Sequence, residues 1–166
     1  LARFRDEARI LGRIRHPNVV EVTALHHYDS GQLVMQMEFI DGATLEELYL
    51  LNAPIPARAF LEVVWLVSIA LHDAFHGGHG PGGLPMGIVH RDIKPANLMV
   101  STTGEVKLVD FGIAKGDFED RKAKSLYNVA GSAGFEAPER SRGEDVTSGA
   151  DVYALGVTIF VMLTRR

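Results

Sequence analysis

The chain contains no cysteine, which excludes disulfides and thiolate-ligated metal centres. No apolar run reaches the roughly 18–20 residues that cross a bilayer. The longest, 59–71 and 152–163, fall short of that, and Glu62 and Ser68 interrupt the first. Both read as buried helices. An excess of positive charge is also lacking: the formal net charge is −4, so nothing marks a protein that coats nucleic acid or an anionic membrane. Leu1 is followed at once by a charged helical pattern, where neither the basic start nor the apolar stretch of a leader peptide fits. No internal repeat is visible.

What is present suits one ordinary domain. The 166 residues are 46% apolar and 23% charged, enough to close a sizeable core. Phe4, Ala8, Leu11 and Ile10, Ile14 recur at helical spacing, and His16-Pro17-Asn18 ends that helix because proline disfavours helical geometry in the residue before it. Residues 19–25 and 32–40 read as strands joined across Asp29-Ser30-Gly31. Thr44-Leu45-Glu46-Glu47 is a capping box opening a short helix, and a long helix is expected over 57–75. In 77–86, seven of ten residues are Gly or Pro, so a surface loop is expected there. Residues 96–100 and 105–111 read as short strands around the turn 101–104. The stretch 112–146 is polar and irregular. A final helix over 151–164, apolar on nearly every side, is expected to be buried. Strands first and helices after make the class α+β.

The chemistry lies in the middle. His90-Arg91-Asp92-Ile93-Lys94-Pro95-Ala96-Asn97 packs acid, base and amide side chains around one proline, and Asp110 follows a second apolar run. Carboxylate and amide oxygens are hard ligands of the kind Mg²⁺ takes together with phosphate oxygens. An acid left off the metal can accept a proton from an attacking hydroxyl. Taken singly, each of these residues is equally at home as an ordinary turn former. His72 and His76, four apart with His79 nearby, have zinc-binding spacing, but no cysteine or carboxylate completes such a site.

Together the motifs are specific. His90 to Asn97, then Asp110-Phe111-Gly112, then Ala137-Pro138-Glu139, in that order, resemble the eukaryotic-type Ser/Thr protein kinases, in a bacterial style and along the whole chain. The resemblance implies a bilobal kinase fold, with residues 1–42 forming part of the N-lobe and 43–166 part of the C-lobe. It implies ATP and Mg²⁺ as cofactors, a protein Ser/Thr hydroxyl as acceptor, and a cytoplasmic site of action. Asp92 would orient the acceptor hydroxyl and take its proton, Asn97 and Asp110 would hold Mg²⁺, and Lys94 would neutralise the transferring phosphoryl group. Met37, Glu38 and Ile40 correspond to the gatekeeper and hinge, and Met99 to the floor of the adenine site. Glu7 corresponds to the helix glutamate that pairs with a lysine on a preceding strand. Leu11, Val22, His90 and Phe111 would stack as a hydrophobic spine.

Further roles follow from the same resemblance. Arg91 would meet a phosphorylated activation loop, with Ser125 the first choice of phosphosite, or else pair with a nearby carboxylate. Ser132 would bond the catalytic Asp and Lys, and Glu139 would meet an arginine from a later helix. Asp151 would anchor the catalytic-loop backbone; from spacing alone, Ser148 to Asp151 could equally be a capping box.

The chain departs from the family pattern at both ends, lacking the Gly-rich phosphate loop, the strand lysine and the later helices. It reads as an incomplete kinase domain, poorly active by itself, with regulatory domains possible outside it. Two alternatives stand beside a kinase: a regulatory binding module with the same fold, and a small-molecule phosphotransferase. Asp92, Asn97 and Asp110 together argue against the first, Lys94 and the 137–139 motif against the second.

Overall fold

The computed structural model describes residues 11–12, 14–77, 85, 87–111, 133–144 and 147–165. The first sheet is a hairpin of β1 (Val22–His27) and β2 (Leu33–Met37), with Leu25 opposite Met35. Its turn forms at the expected place: Gly31 takes φ +81°, and the Tyr28 N–H donates to the Gln32 carbonyl at 2.9 Å. The strands differ from the expected 19–25 and 32–40 for a local reason. A bulge interrupts the pairing between Val22 and Ala24, and residues 18–20 pair elsewhere. Val19 makes a parallel bridge to Leu108, with Val20 N–H on the Leu108 carbonyl at 3.0 Å and Leu108 N–H on the Asn18 carbonyl at 2.8 Å. The Asn18 amide adds a bond to the Val106 carbonyl at 2.9 Å.

The second sheet runs β3–β4–β5, all antiparallel: β3 (Gly42–Thr44), β4 (Leu98–Ser101) and β5 (Val106–Leu108). Thr44 lies opposite Met99, and Leu98 opposite Leu108. Gly42 is required, since a Cβ there would overlap the Val100 carbonyl. β3 leads directly into helix α1 (Leu45–Leu50), and its capping box forms as expected. Thr44 Oγ1 accepts the Glu47 N–H at 3.1 Å, and Glu47 Oε2 accepts the Thr44 N–H at 2.8 Å.

Helix α2 (Ala57–His76) matches the expected span to within a residue. Phe60, Val63, Val67, Ala70 and Ala74 are its buried residues, spaced three or four apart so that they form one stripe. The stripe joins Leu45, Ile93, Leu98, Leu108 and Phe111 in one core. Fully burying side chains such as Phe60, Leu45 and Leu108 contributes about 1.5–3 kcal/mol each. His16 ties the segment before β1 to this helix: its Nδ1 accepts the Asn18 N–H at 3.1 Å, and its Nε2 lies 3.5 Å from Asp73 Oδ2. The short helix α3 (Pro138–Ser141) precedes α4 (Ser148–Thr164).

Two expectations for the last helix are corrected. Its N-cap is Thr147, whose hydroxyl accepts the Gly149 N–H, so Ser148 and Asp151 do not form the capping box. Nor is it buried all round. Ala150, Asp151, Ala154, Leu155 and Thr158 face the core, while Val152, Tyr153, Phe160 and Leu163 are exposed. Apolar composition fixed that it is a core helix but not how many neighbours cover it.

Candidate active site

The loop 90–97 crosses between the core helices and β4, and its shape is set from below. Asp151 is buried in α4, and its carboxylate accepts two consecutive backbone N–H groups, His90 at 2.7 Å and Arg91 at 2.8 Å. Burial pushes the Asp151 carboxyl up from its ordinary range, and the two N–H groups, with Arg91 and Arg140 nearby, oppose that rise.

His90, fully buried, continues the scaffold with both ring nitrogens. Nδ1 accepts the Asp92 N–H at 3.2 Å, so Nε2 carries the proton and donates to the Val109 carbonyl at 3.0 Å. Its ring lies 4.4 Å from that of Phe111. Leu11 and Phe111 are both buried in the core, and Val22 is half-buried against it.

On this base three side chains converge. Asp92 Oδ2 lies 3.1 Å from Lys94 Nζ and accepts from Asn97 Nδ2 at 3.0 Å. Asn97 also donates to the Asp92 carbonyl at 2.8 Å. Its amide nitrogen is thus committed to Asp92, and Oδ1 is the end suited to a cation. Pro95 opens a 3₁₀ turn over Pro95–Asn97 that buries Asn97, and the Val109 N–H donates to the Asn97 carbonyl at 3.0 Å. Asp110, two residues beyond β5, takes left-handed geometry, φ +56°, and is exposed. Asn97 and Asp110 offer only oxygen donors, and this chemistry fits Mg²⁺.

The segment 37–40, expected as gatekeeper and hinge, is tied to two other parts of the chain. The Glu38 N–H donates to the Glu21 carbonyl at 2.9 Å, and its carboxylate grips Lys107 of β5 with both oxygens, at 2.8 and 3.0 Å. Burial is the largest influence on that carboxyl and raises it. The Lys107 ammonium and the Glu21 N–H together outweigh burial and leave it below the ordinary range. Met37 ends β2, Phe39 is 90% exposed, Ile40 is half-buried, and Met99 lies in β4 between Thr44 and Lys107. Lys107 was missed in the sequence although it is the only charge between the inward Val106 and Leu108.

Glu139 is the second residue of α3, and Arg140 beside it reaches back to the loop. Glu7, Ser125 and Ser132 lie outside the described residues, as do most of the first expected helix and the Gly-rich loop.

The protein kinase domain family matches residues 2–166. A probable serine/threonine-protein kinase PknB of Lactococcus lactis is 36% identical over 166 residues, covering 100% of this chain and 25% of that protein. The PknB of Mycobacterium leprae is 35% identical, covering 98% and 25%. The chain therefore spans about a quarter of the length of the curated relatives it matches. Among solved structures, the Mycobacterium tuberculosis PknI kinase domain superposes with a TM-score of 0.70 at 30% identity, over 97% of this chain and 56% of that one. A Rad53 structure solved with AMP-PNP superposes at 0.75 over 100% of this chain and 38% of its own, and at 24% identity it speaks for the fold alone. The fold is thus mixed α+β and partial relative to complete kinase domains, and the chain belongs to the protein kinase domain family.

Proposed function

We propose that this chain carries the phosphotransfer site of a serine/threonine protein kinase, moving the γ-phosphate of ATP to a protein hydroxyl. One observation carries the reading. A carboxylate in the 90–97 loop is held by an ammonium at 3.1 Å and an amide at 3.0 Å, with a second acid, Asp110, two residues beyond β5. In this reading residues 1–42 belong to the N-lobe and 43–166 to the C-lobe. It calls for a compartment supplied with ATP, the cytoplasm.

Asp92 orients the acceptor hydroxyl and takes its proton as the oxygen attacks phosphorus. Lys94, already beside Asp92, offers positive charge where the transferring group becomes most negative. Asn97 Oδ1 and the Asp110 carboxylate hold Mg²⁺, which when bound neutralises phosphate charge and aligns the leaving oxygen. Met37 and Met99 flank the adenine, and the Glu38 carbonyl and Ile40 backbone meet its edge. Arg91 and Ser125 remain the proposed charge partner and phosphosite of the activation segment, and Ser132 the hydroxyl that meets Asp92 and Lys94.

The test is transfer of labelled phosphate from Mg·ATP to a mixed protein acceptor by the intact gene product containing these 166 residues, beside its Asp92→Asn and Asp110→Ala variants. Label on serine or threonine, reduced about 10²–10⁴-fold in Asp92→Asn, supports the reading. Mg·ATP binding without transfer points instead to a regulatory binding module, and transfer to small alcohols alone to a small-molecule phosphotransferase.

A further inference from the structure

The peptide unit that joins Arg91 to Asp92 is held at both of its polar ends. Its N–H, on Asp92, donates to His90 Nδ1 at 3.2 Å. Its carbonyl, on Arg91, accepts from Arg140 Nη1 at 2.5 Å. The preceding N–H, on Arg91, is taken by Asp151 at 2.8 Å. These bonds surround a residue in left-handed geometry, Arg91 at φ +69°, a conformation that side chains with a Cβ adopt only when their surroundings enforce it. Arg140 is itself held, because Glu136 four residues earlier meets its Nε at 3.1 Å, and both side chains are about four-fifths buried, at 18% and 22% exposure.

We infer that Arg140 is a positioning residue for Asp92. It fixes the plane of the 91–92 peptide, and with it the direction in which the Asp92 carboxylate leaves the backbone. The donor comes from the segment 133–141, well separated in sequence from the loop it holds. Docking of that segment therefore sets the geometry of Asp92, and any displacement of 133–141 withdraws a charged donor from the Arg91 carbonyl. A guanidinium is suited to this because one edge can bind Glu136 while another nitrogen reaches the carbonyl. The inference rests on the kinase reading only for its catalytic consequence; the positioning itself is structural.

The experiment compares Arg140→Gln and Arg140→Lys with the parent gene product by steady-state kinetics and by amide hydrogen exchange. Arg140→Gln is expected to lower kcat about 10–100-fold, the scale of a misplaced reacting group, with KM for ATP little changed. Arg140→Lys keeps one charged donor and should recover part of kcat. Exchange should quicken in peptides covering 88–97 and stay unchanged across 57–76. Unchanged exchange in 88–97 overturns the inference. Equal acceleration in both regions overturns it too, showing a merely structural role. If the parent protein transfers no phosphate, the kinase reading fails, while the exchange comparison still decides whether Arg140 holds the loop. Should Arg140→Gln fail to fold, Arg140→Lys carries the same comparison.

Discussion

Asp151 shows how much one side chain can organise. Its carboxylate answers two adjacent N–H groups that a buried loop could not otherwise satisfy. Asp151→Asn removes a buried charge, yet turns one acceptor into a donor facing a donor. A loss of about 1–3 kcal/mol in urea unfolding is therefore expected, since one N–H is left unsatisfied. Burial raises its folded-state carboxyl above the ordinary value, so its own contribution to stability grows as pH falls through that raised value. Glu38 has the opposite sign. Held below the ordinary carboxylate range, it stabilises the fold above that range, and the contribution disappears as pH falls through its lowered value. Replacing Lys107 with Met should therefore flatten the acid limb of stability below the ordinary carboxylate value, read by denaturation at a series of pH values. A lowered stability with an unaltered acid limb would show that the pair does not titrate with folding.

At the scale of elements, the helix starts separate what composition can and cannot say. Thr44 and Glu47 cap α1 as their spacing foretold, because a capping box involves only neighbours in sequence. Thr44→Ala should cost about 0.5–2 kcal/mol and fray a helix of six residues, a change visible in thermal melting. A shift in melting with no change in exchange at α1 would place the effect in β3 instead. The same spacing argument failed at Ser148 and Asp151, where the acid was drawn away by N–H groups sixty residues earlier. Tertiary demand overrode a local option. The β1–β2 hairpin was legible from alternation and its glycine turn. The diversion of residues 18–20 to β5 was not, since nothing local marks a strand end for pairing with a segment so far along the chain.

For the whole molecule, the candidate site was legible because its motif residues lie close together, eight in one loop and three after β5. What the sequence did not show was the support, Lys107 on the Glu38 carboxylate and Arg140 on the Arg91 carbonyl, because such contacts join distant segments. Their spacing left only a faint signal, Glu136 four before Arg140. The face of α4 bearing Val152, Phe160 and Leu163 is a second whole-molecule property. As a 166-residue chain in isolation, the protein should self-associate through it, and Phe160→Gln should shift the sedimentation coefficient toward the monomer at equal concentration. An unchanged coefficient would mean that the face is not adhesive. The bonds from residues 18–20 to β5 have one more meaning. Three hydrogen bonds fasten the base of the β1–β2 hairpin to β5. Together with the Glu38–Lys107 pair they tie both ends of the hairpin's base to one strand, so hairpin and β5 form a single piece that stops two residues short of Asp110.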